Sequence, residues 1–200
     1  MMKEIVIATN NRHKFDEISA ILQGLPVRLI PLSDYPDAPE LKEEGATYAE
    51  NALHKALTVA RFTGKWALAD DTGLEVDALD GRPGLYSARF AGEGVTFADN
   101  KRKLLWLMES IPTEKRTAAF RTVLALVSPS GTSQVVEGVL YGRIAEKEQG
   151  TGGFGYDALF YLPEWGKTYA ELTADEKNRI SHRARAVQKI RESLLKTVGV

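Results

Sequence analysis

Two hundred residues, 44% of them hydrophobic and 26% charged, suit a soluble globular chain that buries a sizeable core in one domain spanning 1–200. The formal net charge of −1 excludes a bulk field for nucleic acid or for a membrane surface, and no window approaches the roughly 20 apolar residues of a membrane helix. The lack of cysteine excludes disulfides, thiolate metal sites and cysteine nucleophiles, and with no secretory signal in view it fits a cytoplasmic protein.

In chain order, Ile5–Ala8 reads as a buried strand, and Phe15, Ile18, Ile21 and Leu22 follow helical spacing up to Gly24 and Pro26. Val27–Ile30 reads as a second short strand, and residues 31–45, with three prolines and many acids, as a loop. Thr47-Tyr-Ala-Glu50 is a capping box that predicts a helix to about Phe62. Trp66–Ala69 is an apolar strand running into Asp70-Asp71-Thr72-Gly73. Leu74–Leu79 is extended, and Gly81–Gly84 is a turn. A helix is expected over Phe97–Met108 and a hairpin over Thr117–Val127 and Ser133–Ile144. A second capping box at Thr173 opens the last helical region, which carries Ala184, Val187, Ile190 and Leu194 on one stripe. Strands alternating with helices early, and a long hairpin in the middle, predict an α/β fold with a mixed sheet and flanking helices.

Four stretches carry chemistry. In "ATNNRHK" (8–14) a strand gives way to a helix with Arg12, His13 and Lys14 in its first turn, where the helix dipole opposes cations. Asn10 or Asn11 as a simple cap explains the asparagines but not the cations. A phosphate site at a helix start explains both. In "ALADDTGLEVD" (67–77) two carboxylates stand at the carboxyl end of an apolar strand, where open α/β sheets bind ligands. Alternation sends Asp70 and Asp71 to opposite faces, so one can enter a cleft while the other braces a turn. A solvated Asp-Thr-Gly turn explains this stretch equally well until the phosphate site is considered, which favours Mg²⁺ on carboxylate oxygen. Among Glu40, Glu43 and Glu44, one is a candidate to share that metal.

"GTGGFGYD" (150–157) contains G-x-G-x-x-G, but a strand-like Ala158–Leu162 stopped by Pro163 follows it, so a dinucleotide-binding turn is excluded. The dense glycines instead predict a nucleotide lying against the backbone, with Phe154 as stacking platform. In "EKNRISHRARAVQK" (176–189), Lys177, His182 and Arg183 are donors for a base edge, although a plain basic helix face fits them too.

Together "ATNNRHK", "ENALHKA", "ALADDTGLEVDALDGRPGLYSARFAG", "GTGGFGYDALF" and "EKNRISHRARA" resemble the inosine triphosphate pyrophosphatase family, in the same order from about Ile5 to Leu195. The resemblance implies Mg²⁺-dependent cleavage of ITP, dITP or XTP to the monophosphate and pyrophosphate. It also implies an elongated two-lobed domain with a central cleft, and a homodimer. By motif, Thr9, Asn10, Asn11, Arg12, His13 and Lys14 bind phosphate, and Asp71 holds the metal, with Glu43, and accepts the proton. Thr72 lies beside the substrate, while Phe154, Gly155, Tyr156, Asp157, Lys177, His182 and Arg183 contact the nucleoside. Two positions depart from the family pattern. Threonine at 72 replaces the usual serine and keeps the hydroxyl. Lys42 replaces the first of two adjacent acids, which leaves Glu43, Glu44 or water to complete the metal site. Two alternative classes are a pyrophosphatase for modified pyrimidine nucleotides and a nucleotide- or RNA-binding module without catalysis.

Overall fold

The computed structural model describes residues 2–198, with side chains to residue 196. The elements are β1 (Lys3–Ile7), α1 (Arg12–Ile21), β2 (Val27–Pro31), α2 (Tyr48–Thr63), β3 (Trp66–Val76), β4 (Pro83–Gly84), α3 (Phe97–Met108), β5 (Thr117–Val127), β6 (Ser133–Ile144), β7 (Phe160–Leu162), β8 (Lys167–Thr168), α4 (Ala174–Ile180) and α5 (His182–Val198). The strands pair in the order β2-β1-β3-β5-β6-β7-β8, with β4 on β3. The chain forms two compact units, Met1–Asp71 with Thr122–Gly138 and His182–Val200, and Thr72–Arg121 with Val139–Ser181.

The first unit is three-layered. Its strands β2, β1 and β3 are parallel, with Ile5 opposite both Leu29 and Trp66. Such strands are buried on both faces, so they read as unbroken apolar runs. Alternation sorts them. Ile5, Ile7, Leu68, Leu124 and Leu126 pack under α1 and α5, which contribute Ile18, Leu22, Val187, Ile190 and Leu194. Val6, Ala8, Ala67, Ala69, Val123 and Ala125 pack under α2, which contributes Ala52, Ala56, Val59 and Ala60. Each fully buried Ile or Leu contributes about 1.5–3 kcal/mol, so α5 is held by its stripe rather than by its propensity.

The second unit has one core. Leu74 and Val76 of β3, Ala118 and Phe120 of β5, Leu140 and Ile144 of β6 and Phe160 and Leu162 of β7 meet Leu104 and Met108 of α3. Tyr156, Leu159 and Tyr169 fill the remainder. No helix among the described residues is long and apolar enough to cross a membrane.

Three local expectations change. The strand entered at Trp66 does not end at Asp70 but continues through Asp71, Thr72 and Gly73 to Val76, so there is no Asp-Thr-Gly turn. Its far end is held by β4, pairing Leu74 with Gly84, and by the Leu74 N–H donating to Ser87 Oγ at 2.9 Å. The last helical region is two helices. Ser181, with φ −59° and ψ 156°, leaves helical geometry between them, and its N–H closes α4 onto the Lys177 carbonyl. In the box at Thr47, the threonine accepts from the Glu50 N–H as expected, but Glu50 reaches back to the Ala46 N–H.

Candidate active site

In the first unit the chain leaves β1 and turns into α1 through Thr9, Asn10 and Asn11. Thr9 Oγ1 accepts from the Asn11 N–H at 3.1 Å, and Asn11 Oδ1 accepts from the N–H groups of His13 (3.0 Å) and Lys14 (3.3 Å). Asn11 is therefore the cap, and its side chain occupies two amides at that helix start. The first turn holds no acid. Arg12 is exposed and pairs with Asp16 at 2.9 Å, while Lys14 turns inward, its Nζ 3.1 Å from Asp70 Oδ2. Burial pulls the Lys14 ammonium below its usual range, against the charge of Asp70, which holds its proton on.

Mid-strand in β3 the two aspartates do point to opposite faces. Asp70 lies on the α1/α5 face. Its Oδ2 meets Lys14 and also Arg183 Nε at 3.3 Å, and Arg183 Nη1 donates to Glu17 Oε2 at 2.8 Å. The result is a row of alternating charge, Glu17, Arg183, Asp70, Lys14, buried at its centre. Burial alone would raise the Asp70 carboxyl, but Lys14, Arg183 and Lys55 outweigh it and hold it well below the carboxylate range.

Asp71 lies on the α2 face. Its Oδ2 accepts from Asn51 Nδ2 at 2.9 Å, and its Oδ1 is 3.6 Å from Lys55 Nζ. The Asn51 side chain is oriented from its other end too, since Oδ1 accepts from the Gly45 N–H at 2.7 Å. No Cβ fits at Gly45, where one would stand 2.7 Å from that oxygen. Lys55 Nζ also meets Glu43 Oε1 at 2.5 Å, so one ammonium is shared by two carboxylates. Burial pushes the Asp71 carboxyl up, only partly offset by Lys55. Lys55 keeps its proton because Asp70, Asp71 and Glu43 overcome the penalty of its burial.

The described residues contain no group of three or more metal-ligating side chains. Mg²⁺ does not demand one, since it takes one or two carboxylates and completes its shell with water and phosphate oxygens. Asp71 and Glu43, already converged on one cationic group, fit that need. Glu44 is exposed and faces Lys42 at 3.7 Å.

In the second unit the glycine loop has a different cause from the one expected. A Cβ at Gly150 would stand 2.8 Å from the Ala170 carbonyl carbon, and one at Gly153 would stand 2.0 Å from Asp157 Oδ2 and 2.3 Å from Lys177 Nζ. The close approach that excludes side chains here is therefore made by the protein's own backbone and by an internal ion pair. Asp157 Oδ2 accepts from the Phe154 N–H at 3.1 Å and from Lys177 Nζ at 2.8 Å, and Lys177 lies 4.4 Å over the Tyr169 ring. Phe154 is half-buried. Tyr156 is 2% exposed and belongs to the core, its hydroxyl donating to the Ser87 carbonyl at 2.9 Å. The Tyr156 side chain is thus engaged inside the fold. Thr72 is half-buried in β3.

Lys177 and the pair His182–Arg183, read together from the sequence, fall in different units because the helix breaks at Ser181. His182 is buried at the start of α5, where its carbonyl leaves Gly138 of β6 no room for a Cβ. Arg183 is committed to Asp70 and Glu17.

Sequence reasoning passed over Asn51, Lys55 and Glu17. For the first two a signal existed. Asn51 and Lys55 stand at the same helical positions as Ala52, Ala56, Val59 and Ala60, the buried stripe of α2. A polar pair on a core-facing stripe is rare without a partner.

Known proteins resemble this chain over nearly its whole length. A family model described as the Ham1 family matches residues 5–193. A dITP/XTP pyrophosphatase of Geobacter sulfurreducens is 52% identical over 193 residues, covering 96% of this chain and 97% of its own. One of Geobacillus kaustophilus is 50% identical over 198 residues, covering 99% and 97%. The solved structure of a HAM1 protein from Coxiella burnetii superposes with a TM-score of 0.87 at 39% identity, covering 98% of this chain and all of that one.

Proposed function

The chain belongs to the Ham1 family, and from that premise we propose that it hydrolyses the deaminated purine nucleoside triphosphates ITP, dITP and XTP to the monophosphate and pyrophosphate, removing them from the nucleotide pool. The observation that carries the reading is the buried Asp71, oriented by Asn51 and sharing the Lys55 ammonium with Glu43.

Asp71 and Glu43 would hold Mg²⁺, which supplies charge neutralisation at the phosphate oxygens and a more acidic water when bound. The Asp71 carboxylate takes the proton of the attacking water. The water oxygen bonds to the α-phosphorus, the bond from that phosphorus to the α–β bridging oxygen breaks, and pyrophosphate leaves with the electron pair. Lys14, with the turn from Thr9 into the first residues of α1 at Arg12 and His13, binds the outer phosphates and takes up charge on the leaving group. Thr72 stands next in the strand, beside the substrate.

Phe154 stacks on the base, and Lys177, presented by Asp157, donates to the 6-oxo group. Gly155 and the main chain at Tyr156 shape that turn. Arg183 we assign to holding Asp70, because its guanidinium is already engaged there and at Glu17. The same reading makes the enzyme cytoplasmic and a homodimer, and sedimentation equilibrium tests the dimer.

The deciding assay supplies ITP, dITP, XTP, ATP, GTP and the nucleoside diphosphates, with and without Mg²⁺, and measures pyrophosphate and orthophosphate. Pyrophosphate from ITP, dITP and XTP, dependent on Mg²⁺, is expected. Orthophosphate with a diphosphate left behind overturns the reading.

A further inference from the structure

We infer that Tyr156 is a positioning residue for base recognition, because its hydroxyl ties the Phe154–Asp157 turn to Ser87 and so to the strand that carries Thr72. The inference rests on the proposed function and adds a residue to it.

Ser87 is 9% exposed and is bonded in three directions within the second unit. Its Oγ accepts from the Leu74 N–H at 2.9 Å and donates to the Gly84 carbonyl at 2.7 Å, and its own carbonyl accepts from Tyr156 Oη at 2.9 Å. The segment that follows is clamped by Asn100 of α3, which is fully buried. Asn100 accepts from the Ala91 N–H at 2.7 Å and donates to the Ala88 carbonyl at 2.9 Å. Residues 84–91, "GLYSARFA", are thereby a rigid strap pinned to β3 at one end and to α3 at the other.

The Tyr156 side chain joins the turn that carries Phe154 to the strap. The turn is closed by the Asp157 N–H on the Phe154 carbonyl at 3.2 Å and by the Phe154 N–H on Asp157 Oδ2. Between them Tyr156 points inward, its ring edge-on to Phe97 with centroids 5.8 Å apart and planes at 88°. A phenylalanine fills the same volume, so the core does not need the hydroxyl for packing. Apolar contact lets a ring slide, whereas an O–H bond to a buried carbonyl is directional and fixes its depth and orientation. Burial pushes the Tyr156 phenol up, so it stays a protonated donor at every working pH. Because Tyr156 lies one residue from Asp157 and two from Phe154, a slide of the ring displaces the stacking platform and the carboxylate that presents Lys177.

The test compares wild type with Tyr156→Phe, using kcat/KM for ITP and ATP and inhibition by inorganic tripolyphosphate, which has no base. The variant is expected to keep the wild-type tripolyphosphate inhibition constant. Its ITP-to-ATP ratio should fall by about 10-fold, mainly through KM for ITP, since small misplacements cost rates on that order. An unchanged ratio overturns the inference even if overall activity falls, because general loosening lowers both substrates alike. A wild type that does not prefer ITP to ATP overturns the proposed function first, and this inference with it. If Tyr156→Phe does not fold, Phe97→Leu, which loosens the ring but leaves its hydroxyl bond to Ser87, should keep the wild-type ITP-to-ATP ratio, and a fall there of about 10-fold puts the ring's depth on packing and overturns the inference.

Discussion

Asp70 and Asp71 are neighbours in sequence and opposites in electrostatics. Both are buried, yet one is held far below the carboxylate range by three cations and the other is raised by burial that Lys55 offsets only in part. Asp71→Asn should fold, since its amide oxygen still accepts from Asn51 and Lys55 keeps Glu43. Turnover should drop at least about 10²-fold, measured as kcat beside an unchanged circular dichroism spectrum. Asp70→Asn should do the reverse and damage stability, because it strands the buried Arg183 and Lys14. Breaking such a network costs about 3–5 kcal/mol, read by urea unfolding at pH 7. The pH dependence follows in sign. The folded Asp70 pKa lies below its unfolded value of about 3.9, so its contribution is complete above that pH and is lost as pH falls below it. Wild type should therefore lose stability as pH falls below about 4, and more steeply than Asp70→Asn does.

At the scale of elements, α2 does the most for the site, because Asn51 and Lys55 lie on its first two turns and their orientation depends on where the helix starts. Thr47 sets that start through its bond to the Glu50 N–H at 3.1 Å. Thr47→Ala should cost about 1 kcal/mol of stability. It should also lower kcat, because Asn51 belongs to the turn that frays. Thermal unfolding with a kinetic assay checks both, and Thr47→Ser should restore them. The break between α4 and α5 matters in another way. A single helix from Thr173 would have kept Lys177, His182 and Arg183 on one rod, whereas Ser181 sends Arg183 to Asp70 and leaves Lys177 with Asp157.

For the whole molecule, the proposed activity predicts strong preference for a 6-oxo purine over adenine. Lysine offers donors only, so the adenine amino group would leave Lys177 facing a donor, and sites built to bond one polar group reject the wrong analogue by up to about 10⁴-fold. Lys177→Ala should narrow the ITP-to-ATP ratio of kcat/KM, and equal loss on both substrates would reassign Lys177 to structure. The parts of this molecule legible in its sequence were those whose causes lie within a few residues. The helix at Phe97–Met108 and the hairpin strands Thr117–Val127 and Ser133–Ile144 stand where they were expected, and alternation separated Asp70 from Asp71. The contacts decided only in three dimensions join residues far apart. Asn51 reaches Asp71 across 20 positions, Tyr156 reaches Ser87 across 69, and Arg183 reaches Asp70 across 113. Periodicity and caps are set by local backbone sterics and hydrogen bonds, so a sequence displays them directly. Which charge neutralises which is settled by the packing of whole elements, since a buried ion takes whatever opposite charge the fold brings within reach of it.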